Sequence, residues 1–333
     1  MLGPALLATR GWAAPEALAT YVRARELSEK VGDTAQLFTS LWGTWLLRWA
    51  RGEISVATGL VHELLDLARR DGREAFRLQA HHAGWTTCTY RGELEAALHH
   101  VEQGVAIYRP AEHGTLAIGY GGHDPGVCAR AHASQPLWLS GYADKAFRSS
   151  QQSLSLAQEL SHTPSITHAL FHDAWLHQFR RDERAAGDQA AALIAKATDQ
   201  GQAMYIAIGK VFQGWALAVA GQTETGIGLM RQGLHDYRAT GAESWAPYYQ
   251  ALLAEQLGQA GLLNEASAAL QEAQHTAKRA ADRFFWARNA PATGRAPLMR
   301  TLHREPRCRG KLLEGNYDGA GSAREVVGAP LLH

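Results

Sequence analysis

The feature that most constrains the fold of this chain is a repeat of about 40 residues. In each unit a turn residue is followed, five positions later, by a small residue. The pairs are Trp12 and Ala17, Gly52 and Ala57, Gly92 and Ala97, Gly141 and Ala146, Arg181 and Ala186, Gly221 and Gly226, and Gly261 and Ala266. Successive turn residues lie 40, 40, 49, 40, 40 and 40 residues apart. A fixed period of this length predicts an array of small units, each stacked on its neighbours.

A second series of helix breakers falls halfway between these turns. Its members are Gly32, Gly72, Gly114, Ser161, Gly201 and Gly241. Each half-period has room for one helix and a turn, and runs such as ATGLVHELLDLARR place apolar residues three and four positions apart, which indicates helices with one buried stripe. The pattern predicts an all-α fold, a tetratricopeptide-like (TPR-like) α-α superhelical solenoid of about seven 40-residue helix pairs. A helical bundle without repeats is the alternative.

The repeat also sets the expected domain boundaries. Residues 1–285 form the predicted repeat domain, and the single 49-residue step is explained by a loop insertion at about residues 108–125, YRPAEHGTLAIGYGGHDP. Such a loop carries function in some solenoids and is a tolerated connector in others. Beyond residue 285 the period fails, and the Arg-, Gly- and Pro-rich residues 286–333 are expected to be disordered or irregular.

Composition narrows the classes of partner. Apolar residues make up 46% of the chain but never run long enough to cross a bilayer, so no membrane partner is expected, and the cytoplasm is the expected compartment. The 33 basic residues are balanced by 32 acidic ones, which gives no electrostatic reason to expect nucleic-acid binding. The cysteines, Cys88, Cys128 and Cys308, are too far apart to indicate a disulfide framework or a zinc knot.

The sequence contains no pattern that is specific for catalysis. His168 and His172 lie one helical turn apart, but HALFH lacks the glutamate of HExxH and the spacing supplies no third ligand. Cys128 has only His132 near it in a helical register, and neither GxSxG nor GxxxxGK[ST] occurs. We expect no catalytic residues, no metal and no cofactor. The other histidines considered are expected at the surface or partly packed, namely His81, His82, His99, His100 and His123.

The tryptophans point to a binding surface. Several lie in the first helix of a pair, at positions that can face the concave side, where solenoids hold an extended peptide or a helix. The candidate groove residues are Trp42, Trp49, His82, Tyr90, Gln135, Trp138, Trp175, Gln178, Trp215 and Glu255. The alternative for each tryptophan is packing between neighbouring helices, which is what we expect of Trp45 and Trp85.

Seven segments carry a family resemblance: ARELSEKVGDTAQLF, LFTSLWGTWLL, GGHDPGVCARAHASQPLWLSGYADKA, LAQELSHTPS, HQFRRD, GWALAVAGQTETGIGLMRQGL and RATGAE. Over residues 1–285 the chain resembles the C-terminal TPR region of large bacterial regulators that join an AAA-type ATPase to a nucleotide cyclase or a DNA-binding domain. In that family the loop with HDPGV stands at the same place between repeats. The resemblance implies a sensor or scaffold module of a signalling protein, with ATPase or cyclase chemistry on a fused or neighbouring module.

Three functions are compatible with the sequence. The leading hypothesis is a non-catalytic scaffold whose groove holds a protein or peptide partner. The second is a regulatory sensor that binds a small molecule or peptide in the concave groove. The third, a helical hydrolase or metalloenzyme, requires converging histidines or carboxylates that the spacing alone does not locate.

Overall fold

The computed structural model describes residues 2–284, which form helices and turns without a β-strand in that range. The helices are α1 (Leu2–Arg10), α2 (Pro15–Val31), α3 (Thr34–Ala50), α4 (Ile54–Asp71), α5 (Glu74–Tyr90), α6 (Leu94–Ile107), α7 (Pro110–His113), α8 (Leu116–Gly119), α9 (Pro125–Leu139), α10 (Ala143–Glu159), α11 (Thr163–Arg180), α12 (Glu183–Asp199), α13 (Ala203–Val219), α14 (Thr223–Ala239), α15 (Ala246–Gln259) and α16 (Leu263–Ala280). In the described part of the chain, no helix is both long and apolar enough to cross a membrane. The prediction for residues 286–333 lies outside the described residues.

The long helices form two layers, as the repeat predicts. The inner helices α3, α5, α9, α11, α13 and α15 are buried on most of their surface, whereas the outer helices α2, α4, α6, α10, α12, α14 and α16 each bury one stripe. A helix that is buried on most sides lies in the core, whereas an amphipathic helix lies at the surface and packs its apolar face on that core. The chain is thus an all-α, TPR-like solenoid, as predicted.

The turns between helices explain the period. Apart from Gly114, which keeps a right-handed conformation, the glycines of both series of breakers adopt left-handed backbone conformations, for example Gly52 (φ 73°) and Gly241 (φ 81°). Where the pattern has Arg181 or Ser161 instead, these residues adopt the same conformation with φ of 65° and 50°. The alanines five positions after the turns are buried where an outer helix meets its inner partner. A larger side chain there would push the two helices apart.

The superhelix closes on itself. The backbone N–H groups of Glu243 and Ser244 donate hydrogen bonds to the carbonyl oxygen of Ala50, at 2.8 and 3.1 Å. The rings of Trp49 and Trp245 pack edge to face beside these bonds. The last inner helices therefore contact the first ones, and the concave side is a shared core. The groove expected on the concave side is closed at this seam because large aromatic side chains fill the inside.

The insertion folds inward. Its residues form the short helices α7 and α8 and a turn at Gly121 and Gly122. Asp124 then caps α9 by accepting hydrogen bonds from the backbone N–H groups of Gly126 and Val127, at 2.9 and 3.0 Å. This turn places His123, the residue before the cap, in the interior, where it is buried.

Candidate functional site

The predicted groove residues lie in the closed core. All are buried except Trp138, which is half-buried and packs edge to face on Phe147. The buried ones are Trp42, Trp49, His82, Tyr90, Gln135, Trp175, Gln178, Trp215 and Glu255. A contact between these side chains and a partner stays a prediction, and it would require the superhelix to open.

These residues form separate groups within the core. Trp49, Tyr90 and Trp175 surround Trp245 at the seam. Glu255 pairs with Arg181, and the Arg181 guanidinium lies over the ring of Trp215. Gln178 accepts a hydrogen bond from the hydroxyl of Tyr248. Of the remaining residues, Trp42 and Gln135 lie beside a group of histidines in the middle of the inner layer, and His82 belongs to that group.

This group consists of one cysteine and five histidines, and we call it the histidine cluster. Its members come from three inner helices and the insertion: His82, His123, Cys128, His132, His168 and His172. All six are buried, and Cys128 is a free thiol. The expectation that His82 and His123 lie at the surface or are partly packed is therefore wrong. His82 lies on the face of α5 that points into the core, and the inward turn of the insertion places His123 in the core as well. His81 and His100 are half-buried and His99 is exposed, as expected.

Short contacts connect the members of the cluster. The Cys128 Sγ lies 3.1 Å from His82 Nε2 and 3.4 Å from His132 Nδ1. The rings of His123 and His168 stack in parallel with their centroids 4.0 Å apart. The His172 ring lies 4.4 Å from that of His132 and 4.7 Å from that of His168, measured between centroids. The cluster is thus continuous, with Cys128 in direct contact with imidazoles on two helices.

Buried polar side chains orient three of the imidazoles. His82 Nδ1 lies 3.0 Å from Gln79 Oε1, and His172 Nδ1 lies 3.0 Å from Gln135 Oε1. With the amide oxygens facing the rings, each Nδ1 carries the proton and donates it, which leaves Nε2 as a lone-pair atom. The third imidazole, His168, is held through Nδ1 by the hydroxyl of Tyr205 at 2.9 Å.

The cluster is electrically neutral near pH 7. Burial lowers the pKa of His123 to about 3 and that of His132 to about 4, and it lowers the pKa values of His82, His168 and His172 well below their usual range. The same burial raises the pKa of the Cys128 thiol. In each case the cause is that the charged form loses its hydration in the core.

A small internal cavity adjoins the cluster. It has a volume of about 20 Å³ and is lined on one side by histidines of the cluster and on the other by aromatic residues that include Trp45 and Phe171. The Nε2 atoms of His123, His168 and His172 are buried and have no hydrogen-bond partner. A space of this size holds one water molecule or one ion.

A larger cleft opens to solvent next to this cavity. Its volume is about 730 Å³, which lies in the range of ligand-binding pockets. Its walls come from the end of α1, the glycine turn of the insertion, the start of α13 and the end of α14. Trp12, Met204 and Ile206 supply half-buried apolar side chains, and Gln202 supplies an amide whose oxygen is buried without a partner. His123 lines both the cleft and the small cavity.

Sequence reasoning found only parts of the histidine cluster. The spacing of His168 and His172, and that of Cys128 and His132, indicated imidazoles and a thiol one helical turn apart. The two pairs lie on neighbouring inner helices and face each other, and His82 and His123 complete the set from elsewhere in the chain. The 40-residue period matches Cys128 with His168 and His132 with His172, so aligning the inner helices by this period would have placed four of these side chains on the same inner face.

The comparisons with known proteins agree with the fold. No protein-family model matches the chain. An uncharacterized protein of Rhizobium meliloti (strain 1021) is 24% identical over 332 residues, which cover 99% of this chain and 30% of that protein. The chain therefore spans less than a third of the length of this curated relative.

Two solved structures have the same kind of helical-repeat fold. One is a Rap protein complexed with Competence and Sporulation Factor, with a TM-score of 0.61, 16% identity, and coverage of 80% of this chain and 71% of the Rap chain. The other is the apo form of RapI, with a TM-score of 0.50, 11% identity, and coverage of 73% and 99%. At these identities the likeness is one of fold alone.

Proposed function

We propose that this chain is a non-catalytic interaction module that binds an extended peptide segment of a partner protein in the cleft beside α13. The observation that carries the proposal is the cleft itself, because its volume of about 730 Å³ suits a ligand of several residues and it opens to solvent. The buried tryptophans predicted from the sequence then act as the rigid core behind the cleft.

The lining of the cleft fits a peptide. Trp12, Met204 and Ile206 offer apolar contacts for side chains, and Gln200 and Gln202 offer amides for the main chain. The side-chain oxygen of Gln202 has no hydrogen-bond partner, and it would accept a bond from a peptide N–H group if this half-buried side chain rotated into the cleft. Glycine turns at Gly121 and Gly201 bring backbone groups to the wall without a side chain in the way. Main-chain contacts with apolar pockets between them are typical of peptide recognition.

The wider role that we propose is that of the sensor or interaction module of a bacterial signalling regulator. The resemblance to the TPR regions of ATPase and cyclase regulators supports this role, as does a Rhizobium relative about three times as long as the aligned region. A Rap structure with a bound factor is a precedent for ligand binding by this kind of fold. A fused or neighbouring ATPase or cyclase module would then be the output that binding controls.

A peptide-display selection tests the cleft. Random peptides are selected on the full chain and on the variant Ile206→Glu, which places a charge among the apolar residues of the cleft. The matched control is Val56→Glu, because Val56 is 49% exposed on the outer helix α4, far from the cleft lining. We expect peptides enriched on the unmodified chain to bind Val56→Glu equally and Ile206→Glu at least about tenfold more weakly, a change of about 1.4 kcal/mol.

Two results would contradict the peptide proposal. One is that no peptide is enriched, or that the enriched peptides bind Ile206→Glu as well as the unmodified chain. The other comes from a thermal-shift screen of metabolites, since a ligand that prefers the native state raises its melting temperature. A metabolite that stabilises the unmodified chain but not Ile206→Glu, in the absence of enriched peptides, would replace the peptide with a small molecule.

A further inference from the structure

We propose that the histidine cluster binds one transition-metal ion, Zn²⁺ or Cu⁺, through the thiolate of Cys128 and the imidazoles that surround it. His123 lines both this site and the cleft, but the metal proposal does not rest on a peptide binding in the cleft. The sequence-based expectation of no metal rested on single helices, where the third ligand is missing. The fold supplies that ligand from other repeats.

The geometry of the potential ligands carries the proposal. Two sets of three ligand atoms share Cys128: His82, His123 and Cys128, and Cys128, His132 and His168. Within each set all ligand atoms lie within 4.8 Å of one another. In a tetrahedral site with the usual bond lengths to nitrogen and sulfur, ligand atoms lie about 3.3–3.7 Å apart. The Cys128 contacts of 3.1 and 3.4 Å are already close to this spacing, so small side-chain shifts would suffice.

Unpartnered nitrogen atoms are the second observation. The Nε2 atoms of His123 and His168 are buried, lack any partner, and belong to residues that line the internal cavity. A buried polar atom without a partner is destabilising, so several of them at one place in a native core call for an explanation. A metal ion bound to these lone pairs would remove the cost.

The partners of the imidazoles form the third observation. A metal-bound histidine commonly uses its other ring nitrogen for a hydrogen bond that fixes its orientation. Here His82 makes that bond to Gln79 and His168 makes it to Tyr205, each through Nδ1. Both rings therefore present Nε2 to the interior of the cluster. The orientation exists before any ion binds.

The donor set determines the class of ion. One thiolate and neutral imidazoles suit Zn²⁺ and Cu⁺, whereas Mg²⁺ and Ca²⁺ prefer oxygen ligands. On binding, a bond forms between the metal and Sγ, and the thiol proton of Cys128 leaves to solvent. Cu⁺ with one thiolate leaves the site neutral, and Zn²⁺ leaves one positive charge. Both ions would use the same ligands, and loading the protein with each metal in turn shows which of them it retains.

Direct metal measurement on the full chain is the first test. Protein purified without a histidine tag is loaded with Zn²⁺, or with Cu⁺ under reducing anaerobic conditions, then dialysed and analysed for bound metal. We expect one ion per chain for at least one of the two metals. Co²⁺ replaces Zn²⁺ as a spectroscopic probe, and a sulfur-to-cobalt charge-transfer absorption is expected because Cys128 is a ligand.

Variants locate the site. Cys128→Ser should remove the charge-transfer absorption and the tightly bound ion. Its matched control is Cys88→Ser, which changes a free, partly buried cysteine on α5 and should leave both unchanged. Tyr205→Phe removes the hydroxyl that orients His168, and we expect it to weaken binding about 10–100-fold while the absorption remains.

The proposal is overturned if the dialysed chain retains neither metal and the cobalt absorption is absent, which would leave a water molecule as the occupant of the cavity. It is also overturned if the absorption persists in Cys128→Ser, or if Cys88→Ser abolishes it. The cobalt spectrum of the unmodified chain needs no variant, so a failure of Cys128→Ser to fold would not remove the test.

Discussion

Trp49 and Trp245 pack edge to face with their ring centroids 5.6 Å apart, and this contact joins the first complete helix pair to the last inner helix. Both rings are buried, and the hydrogen bonds from Glu243 and Ser244 to Ala50 lie next to them. The contact converts an open solenoid into a closed one. It therefore determines how much of the inner surface a ligand can reach.

Replacing Trp245 should weaken the seam. Removing a buried tryptophan side chain typically costs about 3–5 kcal/mol, so we expect Trp245→Ala to lower the free energy of unfolding by that amount. Leu262→Ala is the control, because Leu262 is 42% exposed and should cost less than about 0.5 kcal/mol. Urea titrations followed by circular dichroism measure both. Equal effects for the two variants would show that the seam contributes little to stability.

Replacing either of two glycines on α14 with alanine should change the stability of the protein, in opposite directions. A Cβ atom at Gly226 would lie 2.5 Å from the carbonyl oxygen of Gly214, whereas a Cβ atom at Gly228 would have no atom within 4 Å apart from the neighbouring backbone of its own helix. We expect Gly226→Ala to destabilise by at least about 1–3 kcal/mol, because the backbones of α13 and α14 must move apart. Gly228→Ala should stabilise by about 0.5–1 kcal/mol through helix propensity. Thermal unfolding of the pair tests the close approach directly.

The metal-free protein should lose stability in mild acid. The pKa values of His82, His168 and His172 lie well below the unfolded value of about 6.5, and those of His132 and His123 are lowered to about 4 and about 3. Below pH 6.5 the unfolded chain therefore binds more protons than the folded one. The free energy of unfolding is highest above pH 6.5 and falls with the pH, and the slope for each imidazole approaches a limit of about 1.4 kcal/mol per pH unit once the unfolded histidine is fully protonated.

Urea midpoints in the presence of a chelator at pH 7.5, 6.5 and 5.5 measure this dependence. His172→Gln removes one buried imidazole and should reduce the slope below pH 6.5 by up to about 1.4 kcal/mol per unit. A stability that is constant from pH 7.5 to 5.5 would mean that the cluster is open to solvent.

Replacing either partner of the ion pair between Arg181 and Glu255 should lower the stability, but by different amounts. The Glu255 side chain is 3% exposed, whereas the Arg181 side chain is 38% exposed at the left-handed end of α11. Arg181→Asn keeps a residue that tolerates this backbone conformation but leaves a buried carboxylate without its partner. We expect it to cost about 1–3 kcal/mol, more than Glu255→Gln, which removes the buried charge as well. Chemical denaturation of the two variants gives the order, and a larger loss for Glu255→Gln would contradict it.

The sequence by itself determined the elements of this protein. The 40-residue period, the turn glycines and the alanines five positions after them specify helix pairs through contacts inside one repeat or between adjacent ones. Such contacts involve residues that are close in the chain, so their pattern is visible in the sequence. The helical fold and the positions of the turns at Gly52, Gly221 and Gly261 were predictable for this reason.

Only the tertiary structure decided how far the superhelix curves and what meets inside it. Curvature is the sum of small rotations between repeats, and each rotation depends on how large side chains such as Trp45 and Trp175 pack. The contact between Cys128 and His82 joins residues 46 positions apart, and that between Trp49 and Trp245 joins opposite ends of the repeat array. No local pattern records these pairings, because they depend on the accumulated rotation and on the inward turn of the insertion.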